Sequence, residues 1–440
     1  MVSSKKWIII TFLLSIIIFY FTPSFNATFT NMTFWTFRDG MLYFTGVVAV
    51  LLMILAMVLS IRLNIIEKKT NGLDKSYFLH KWVGISAFIM MVIHWAFKEC
   101  KGIILDFNLL EKPEKKSSPS TLTDFQVDLF HLGNDIVEYV FYIMVVILII
   151  ALIIKIPYHI FKYSHKVIPF LFLLIAFHSY TIQIRGHWFN SFGSILLNII
   201  LTFGVIISLY ILFQRNGKKH QYEGIITETK FMENIRSLYV TIKLNSDNFS
   251  YKAGQYVFLK FQHSREFHPF SICSYNKNLN EISFLIKELG DYTNILKHKI
   301  QESQKVIVEG PYGNFDFNDN KENQIWVSAG AGITPFMAMV DYLVDNKTNK
   351  HIDFYFSNKG ECNIKNILEE KCKTANINFH FINTLVDKRL NIEDIVKNID
   401  KNNTSIWFCG PKPFCNNIIS LLKKYSYPIK NLHFDYFNMR

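Results

Sequence analysis

The sequence predicts a multi-domain protein in which a six-helix transmembrane bundle is followed by a β-barrel and an α/β domain with a parallel sheet. Three observations predict it: the long apolar runs lie in the first half, strand-like runs follow them, and strand and helix patterns then alternate. The expected domains are 1–220, 221–318 and 319–440. The chain has 440 residues, of which 41 are Phe. This apolar content is enough to form a buried core, which excludes a disordered chain.

Six segments approach the roughly 20 apolar residues needed to cross a bilayer. They are 7–22, 41–61, 78–97, 136–154, 166–184 and 191–213. The first is interpreted as a retained span, with a cleaved signal peptide as the alternative. Most Lys and Arg of the short loops would share a side with the N-terminus, so both termini and the second half are expected in the cytoplasm. The net charge of +12 lies beside apolar spans and therefore indicates membrane lipid, not nucleic acid, as a partner.

Four histidines lie in or at the edge of two of these segments. His80 and His94 belong to the third segment, and His165 and His178 belong to the fifth. Their spacings are about 21 and 20 Å along a helix, so each helix places one His near either face of the membrane. Imidazole nitrogen on both axial sides suits a low-spin haem, which predicts two iron sites with two histidines each. Hydrogen bonding between helices is the alternative role.

One detail disagrees with a straight fifth helix. At 100° per residue, His94 returns to within about 40° of the face of His80, whereas His178 misses the face of His165 by about 140°. Either Pro169 kinks the start of this helix, or His165 precedes the regular helix.

Residues 223–316 are expected to form a small β-barrel. The runs Leu238–Leu244, Tyr256–Phe261 and Ile282–Ile286 are rich in β-branched and aromatic residues, as strands are. Two motifs stand out among them, the stretch from His268 to Ser274 and the stretch from Lys287 to Thr293. Taken alone, each motif indicates only a strand end and a turn.

Residues 325–440 alternate between strand-like and helical stretches, which predicts a parallel sheet. Ile325–Ser328 is a buried strand by composition, and a helix is expected over Met337–Val344. The glycine-rich turn between them would let backbone approach a ligand and present free N–H groups to a pyrophosphate. Because the spacing is not G-x-G-x-x-G, the Rossmann fingerprint is absent and a generic tight turn is the alternative. A second strand-to-turn motif follows at Ile406–Pro413.

In this order the motifs resemble the ferredoxin-NADP reductase superfamily joined to a ferric-reductase-like transmembrane domain. That combination is similar to the NADPH oxidase and ferric reductase family, and the resemblance covers roughly residues 40–440. It implies FAD, two b-type haems, and NADPH or NADH as the electron donor. By this resemblance His80 with His165 and His94 with His178 are the haem ligand pairs.

The resemblance also implies the flavin site. The residues that would hold FAD are His268, Pro269, Phe270, Ser271, Gly290 and Thr293. Phe437 would cover the flavin ring, with Tyr436 as a second choice and an ordinary final strand as the alternative. Gly310–Gly313 matches the turn of the family between its two reductase domains.

The nicotinamide nucleotide site is implied in the same way. The residues that would receive the dinucleotide phosphates are Gly330, Gly332, Thr334 and Pro335, with Ser357 and Lys359 near the ribose 2′-phosphate. Lys359 replaces a commoner Arg, which weakens the preference for NADPH over NADH. Cys409, Gly410 and Pro411 would lie beside the nicotinamide, and the resemblance makes Cys409 and Phe437 the catalytic residues.

The resemblance implies a transmembrane NAD(P)H oxidase. It would move electrons from cytoplasmic NAD(P)H through FAD and two haems to O2 outside, giving superoxide. The alternatives are reduction of Fe(III) chelates, or a haem electron carrier that serves a periplasmic partner protein. The fused flavin module means that a partner protein is not required for activity, although one is compatible with it. The expected location is the plasma membrane of a bacterium.

Overall fold

The computed structural model describes residues 2–30, 32–70, 72–111, 122–153, 158–213, 220–264, 266–387 and 389–435. The described chain forms two compact units. The first comprises residues 1–66 and 76–216, and the second comprises residues 67–75 and 217–440. The short segment 67–75 therefore belongs to the second unit, although the residues on both sides of it belong to the first.

The described residues of the N-terminal half are mainly helical. The helices are α1 (Val2–Tyr20), α2 (Pro23–Thr30), α3 (Phe34–Ser60), α4 (Asn64–Thr70), α5 (Leu73–Asp106), α6 (Asp124–Leu152), α7 (Tyr158–His165), α8 (Ile168–Arg185) and α9 (Phe192–Leu212). A hydroxyl side chain caps the N-terminus of α3, α6 and α9. Thr33 and Thr123 form capping boxes, and the Ser191 hydroxyl accepts a hydrogen bond from the N–H of Ser194.

Five helical segments are long and apolar enough to cross a membrane, namely Phe34–Ser60, Leu73–Asp106, Asp124–Leu152, Ile160–Arg185 and Phe192–Leu212. A sixth is counted if α1 and α2, which meet at 79°, are one broken span. The described helices therefore number five or six spans, where the sequence predicts six. α5 extends well beyond the apolar run 78–97 at both ends. α3 is the most buried span, and many large apolar side chains of α6 and α9 are exposed, as lipid-facing residues are.

The fifth predicted span is broken near its start. α7 ends at His165, and α8 begins at Ile168 with Pro169 in its first turn. His165 thus precedes the regular helix, which is one of the two explanations that the sequence left open. The rotation of about 140° between His165 and His178 on an ideal helix does not apply, because the two residues belong to different helices.

The second half begins with a closed antiparallel barrel. Its strands are β1 (Gln221–Met232), β2 (Ser237–Leu244), β3 (Tyr256–Phe261), β4 (His268–Asn276), β5 (Glu281–Lys287) and β6 (Lys305–Tyr312), in the order β1-β2-β5-β4-β3-β6. One helix, α10 (Asp291–Lys299), lies between β5 and β6. Alternating side chains such as Val240, Ile242 and Phe284 fill the interior and are fully buried.

A five-stranded parallel sheet follows. Its elements are β7 (Asn323–Ala329), α11 (Thr334–Asp345), β8 (His351–Asn358), α12 (Ile364–Thr374), β9 (Asn378–Asn383), α13 (Ile392–Asn398), β10 (Thr404–Cys409), α14 (Lys412–Lys424) and β11 (Leu432–Phe434). The strand order is β11-β10-β7-β8-β9. The chain moves from β7 to β8 on one side and returns to β10 on the other, so the strand order reverses between β7 and β10. In open α/β sheets, ligands bind at the carboxyl ends of strands beside such a reversal.

Candidate functional site

The turn after β7 lies at the carboxyl edge of the sheet. Gly330 has a φ of +56°, which glycine adopts without strain, and Thr334 and Pro335 begin α11. A Cβ on Gly332 would lie 2.5 Å from the carbonyl carbon of Cys409 and 2.9 Å from the nitrogen of Gly410. Glycine is therefore required for the backbones after β7 and β10 to approach each other. The helix expected over Met337–Val344 begins earlier, at Thr334, because the turn leads directly into it.

Strand register brings the other predicted nucleotide residues to the same edge. Ser357 pairs with Ala329, and Cys409 pairs with Ser328. Lys359 is exposed just after β8, and Gly410 and Pro411 follow β10 directly. The structure thus gathers all the predicted nucleotide residues at the carboxyl ends of three neighbouring strands. The Ser328 hydroxyl is fully buried there without a hydrogen-bond partner among the described residues.

Cys409 is completely buried. Burial raises the pKa of its thiol well above the ordinary value, and the nearby carboxylate of Asp435 raises it further. The group stays a protonated thiol, so Cys409 is suited to packing beside a bound ring and not to nucleophilic attack. Phe437, the other predicted catalytic residue, lies outside the described residues, as does Tyr436.

The predicted flavin residues fall on two elements of the barrel. His268, Pro269, Phe270 and Ser271 form the first half of β4, and all four side chains are partly exposed. The ring of His268 stacks on that of Tyr292 with centres 3.5 Å apart and planes 15° apart. The first turn of α10, which carries Tyr292, is thereby held against the His-Pro-Phe-Ser stretch.

Gly290 and Thr293 form the start of α10. The Thr293 hydroxyl accepts hydrogen bonds from the N–H groups of Leu289 (2.9 Å) and Gly290 (3.1 Å), which shapes the turn. A Cβ on Gly290 would meet no atom within 4 Å, so this side of the turn is open to a ligand. A helix N-terminus with an open glycine approach fits an anionic group such as a flavin pyrophosphate.

Lys287, which ends β5, has no role that the sequence pattern indicates. Its ammonium nitrogen lies 3.2 Å from where a Cβ on Gly330 would be. A cation from the barrel thus faces the glycine-rich turn of the sheet domain. Lys287 stands in the quoted Lys287–Thr293 motif, but only the folded chain reveals its neighbour.

His80 and His165 face each other in the helical unit. Their ring centres are 5.9 Å apart, with the planes at 72°. The Nδ1–H of His80 donates to the Ala56 carbonyl of α3 at 2.8 Å. This hydrogen bond places the ring proton of His80 on Nδ1. The lone pair of Nε2 is then available to bind a metal, as in metal-binding histidines. Two imidazoles that share one metal through bonds of about 2 Å have ring centres roughly 6 Å apart, so this pair fits a common iron.

His94 and His178 form a second pair, close enough to interact electrostatically. The Nδ1–H of His94 donates to the Leu42 carbonyl of α3 at 2.9 Å, which repeats the arrangement of His80. A Cβ on Gly46 would lie 3.0 Å from Cε1 of His94, so this glycine makes room for the ring. Nδ1 of His165 is buried without a hydrogen-bond partner among the described residues.

Two-histidine sites match what a haem requires, because the porphyrin supplies the other four ligands. Among the described residues no group of three or more His, Cys, Asp or Glu side chains could hold a bare metal ion. The donor set of each pair therefore fits a haem better than a free cation.

The cations near the His94 pair are engaged by protein groups. Arg38 is buried and donates to the carbonyls of Phe97 (2.7 Å) and Lys98 (2.8 Å) and to the Asp39 carboxylate (2.8 Å). The Lys98 ammonium lies 2.9 Å from the Glu99 carboxylate and 3.2 Å from that of Glu138. Arg185 lies over the ring of Phe130. The Arg38 guanidinium thereby links α3 to α5.

Comparison with known proteins yields three family matches along the chain. Residues 45–176 match the ferric reductase like transmembrane component, residues 229–316 match an FAD-binding domain, and residues 326–419 match the oxidoreductase NAD-binding domain. The first match contains three of the four paired histidines and ends just before His178. The other two cover the barrel and most of the parallel-sheet domain.

Individual relatives are distant. The chain is 21% identical over 207 residues to the reductase component of propane 2-monooxygenase from Rhodococcus jostii, covering 43% of this chain and 56% of that protein. It is 26% identical over 226 residues to respiratory burst oxidase homolog protein H from Arabidopsis thaliana, covering 42% of this chain and 25% of that protein. The chain spans about half the length of the first curated relatives it matches.

Among solved structures, ferredoxin-NADP+ reductase from Plasmodium falciparum is similar at 20% identity and a TM-score of 0.42, covering 50% of this chain and 97% of that one. The order of the three family matches, one membrane component and two reductase domains, is the decisive finding. The chain therefore joins a ferric-reductase-like multi-pass transmembrane component to an FAD-binding domain and an oxidoreductase NAD-binding domain, and in this domain order it resembles the NADPH oxidase and ferric reductase family.

Proposed function

We propose that the chain is a transmembrane NAD(P)H oxidase that moves electrons from cytoplasmic NAD(P)H, through FAD and two bis-histidine haems, to O2 on the far side of the membrane. Each NAD(P)H leaves as NAD(P)+ and gives up two electrons and one proton. Two O2 molecules each take up one electron and leave as superoxide. An inside-negative membrane potential favours this direction by about 2.3 kcal/mol per 100 mV.

The observation that carries the proposal is the arrangement of the two histidine pairs. Each pair joins a residue of α5 to a residue of α7 or α8, and both α5 histidines are oriented by a carbonyl of α3. Ionisable residues buried in a membrane are costly and tend to mark function. A role limited to hydrogen bonding would leave unexplained the 5.9 Å separation of the His80 and His165 rings.

The residues of the second half would bind and orient the two nucleotides. When bound, FAD accepts a two-electron hydride and releases single electrons, which a haem then carries one at a time. The first turn of α10 and the β4 stretch would hold the flavin, and the turn after β7 would hold the dinucleotide phosphates. Phe437 would cover the flavin ring, and Cys409 would lie beside the nicotinamide. No side-chain acid, base or nucleophile is needed for this chemistry.

Oxygen is favoured over ferric chelates by the charges near the His94 pair. Arg38 and Lys98 are neutralised by Asp39, Glu99 and Glu138, so they offer little attraction to an anionic chelate. The first half of α6 adds Asp124, Asp128 and Asp135. The approach of a neutral molecule such as O2 is not affected by these acidic side chains. Reduction of Fe(III) chelates, or delivery of electrons to a periplasmic partner protein, is the second candidate, since the relatives include reductase components that serve other proteins.

The proposed setting is the plasma membrane of a bacterium, with six spans, both termini in the cytoplasm, and lipid around the helices. The basic short loops support this orientation. The fused reductase domains support activity of the isolated chain with NADPH or NADH. Lys359 in place of the commoner Arg supports a weakened preference for NADPH over NADH.

The central test is a reduced-minus-oxidised spectrum of the purified full-length protein with NAD(P)H as the reductant. We expect b-type haem bands from two haems per chain, and His94→Ala should abolish superoxide formation while NAD(P)H still reduces the flavin. His131→Ala, which alters an exposed histidine of α6, is the matched control. Absence of haem bands in the spectrum of the wild-type protein would contradict the proposal. Ferric-chelate reduction faster than superoxide formation in the same membranes would reverse the choice of acceptor.

A further inference from the structure

The last turns of α8 carry a buried amide in one of the helices that are apolar and long enough to cross a membrane. Gln183 is completely buried, and so is Ser194 of α9, to which it is hydrogen bonded. A polar side chain in such a setting is costly unless its hydrogen-bonding groups are satisfied. The partners of Gln183 therefore indicate what the residue does.

Both N–H groups and the oxygen of the Gln183 amide have partners. The oxygen accepts from the Ser194 hydroxyl at 2.5 Å. The nitrogen donates to Oδ1 of Asn198 at 2.9 Å and to the Ser179 carbonyl at 2.9 Å. The Asn198 amide donates in turn to the Ser194 hydroxyl at 3.2 Å. The side chains of Gln183, Ser194 and Asn198 thus form a closed polar network that joins α8 to α9.

This network lies on the far side of α8 from His178. Gln183 follows His178 by five residues, which places it about 140° around the helix at 100° per residue. Its bond to the Ser179 carbonyl reaches the residue directly after His178. The network can therefore fix the part of α8 that carries His178 and leave the imidazole ring free to face His94.

Two further contacts restrict α8. At the start of the helix, the Ser208 hydroxyl of α9 donates to the Pro169 carbonyl at 2.5 Å. Along its side, a Cβ on Gly133 of α6 would lie 3.2 Å from the Cβ of Thr181, so α6 and α8 pack closely there. The start and one side of α8 are thus held by these contacts, and Gln183 holds the end of the helix.

A small rotation of α8 would be enough to disturb the second histidine pair. Cα atoms lie about 2.3 Å from a helix axis and an imidazole nitrogen extends to roughly 6 Å, so a rotation of about 20° moves this nitrogen by about 2 Å. A bond from an imidazole nitrogen to a metal is itself only about 2 Å long. In a membrane, apolar packing selects weakly between rotations, because lipid is as apolar as the helices. Hydrogen bonds between helices are then the contacts that select one rotation.

We propose that Gln183 is a positioning residue for the second histidine pair. Its bonds to α9 fix the rotation of α8, and with it the orientation of the His178 ring opposite His94. The inference rests on the proposed function, in which this pair binds a haem. In this role Gln183 acts through α8 and does not itself bind the cofactor.

The test uses the purified full-length protein loaded with haem, and its first readout is the EPR spectrum of the ferric state. The largest g value of a low-spin haem with two imidazole ligands depends on the angle between the imidazole planes, so each histidine pair gives its own signal. Gln183→Leu keeps the approximate size of the side chain and removes its hydrogen bonds. It should shift the signal that His94→Ala removes and leave the other signal unchanged. The second readout is haem transfer to apomyoglobin, which should become about tenfold or more faster for this haem.

Three further variants separate positioning from other effects. Gln183→Glu keeps an oxygen that accepts from Ser194, and it should restore the wild-type signal. Thr202→Val removes an exposed hydroxyl of α9 that bonds to the Asn198 carbonyl of its own helix, and it should leave both signals unchanged. Ser194→Ala removes one bond of the network and should shift the same signal by a smaller amount. This milder variant decides the question if Gln183→Leu does not fold.

Two results would overturn the inference. One is a wild-type EPR spectrum with a wild-type rate of haem transfer in both Gln183→Leu and Ser194→Ala. The other is an equal change of both haem signals with loss of thermal stability, which indicates a general structural role. A wild-type protein without haem contradicts the proposed function itself and is detected before any variant is compared.

Discussion

The ring of His80 lies 5.9 Å from the ring of His165, although the two residues belong to different helices and are distant in sequence. His165 reaches this position because α7 ends there and α8 starts afresh at Ile168. A single straight helix would turn His165 and His178 to nearly opposite faces. The break in the helix is therefore what allows α7 and α8 together to present two histidines to α5.

Gly46 should control occupancy of the second histidine pair. A Cβ at this position would lie 3.0 Å from Cε1 of His94, and the branched side chain of Val would displace the ring. We expect Gly46→Val to bind about half the haem of the wild type, because the His80 pair is untouched. The haem content per chain measures this. Gly102→Val, at an exposed α5 glycine with no atom within 4 Å of its Cβ, is the control, and equal haem in both variants would contradict the assignment.

Lys287 should contribute to binding of the nicotinamide nucleotide. Its ammonium faces the turn at Gly330, where the dinucleotide phosphates are proposed to lie. Loss of a charge-assisted hydrogen bond costs about 1.5–3 kcal/mol, so Lys287→Met should raise the KM for NAD(P)H about tenfold or more without loss of FAD. Steady-state ferricyanide reduction provides the measurement. Lys305→Met, an exposed lysine of β6, should leave the KM unchanged, and the same KM in both variants would refute the role of Lys287.

Gly332 and Gly290 should respond differently to the same substitution. In Gly332→Ala the new methyl group overlaps the backbone of Cys409 and Gly410, which should destabilise the protein by about 1–3 kcal/mol and abolish nucleotide binding. In Gly290→Ala the methyl group enters open space. Unfolding of the flavin-free protein should be unchanged there, while FAD affinity falls. Thermal unfolding and FAD titration of both variants test the contrast, which fails if Gly290→Ala destabilises the flavin-free protein as much.

Stability of the reductase half should depend on pH through Asp435. Burial, and then repulsion from Asp74 and Glu67, raises the pKa of this carboxyl from 3.8 to about 8, while Lys75 acts in the opposite direction. Since the folded state holds the proton more tightly, its contribution to stability is complete below the unfolded pKa. It is lost as pH rises from about 4 towards 8, by at most about 1.4 kcal/mol per pH unit.

Asp435→Asn should flatten that dependence. The measurement is the temperature of flavin release from the full-length protein between pH 5 and 8, and the difference between wild type and variant isolates the single group. Asp345→Asn changes an exposed carboxyl of α11 and should keep the wild-type slope. An unchanged slope in Asp435→Asn would show that Asp435 carries no raised pKa.

Much of the fold could be predicted because its signals are local. Apolar runs indicate spans and alternating β-branched runs indicate strands, and both follow from the geometry of single elements. The strands observed at Ser237–Leu244, Tyr256–Phe261 and Glu281–Lys287 agree with the predicted runs to within one residue. The number of spans was less predictable, because the bend of 79° after Tyr20 depends on packing and not on composition.

The sequence by itself determined which chemical groups are available: two pairs of membrane histidines, a His-Pro-Phe-Ser stretch, and glycine-rich turns after buried strands. These groups can be recognised because each signal depends only on residue types and their spacing within a short stretch of the chain. Only the tertiary structure decided that Lys287 faces Gly330 and that α3 carbonyls orient His80 and His94. These contacts join residues that are distant along the chain, and nothing in a local pattern specifies which distant backbone will meet a given side chain.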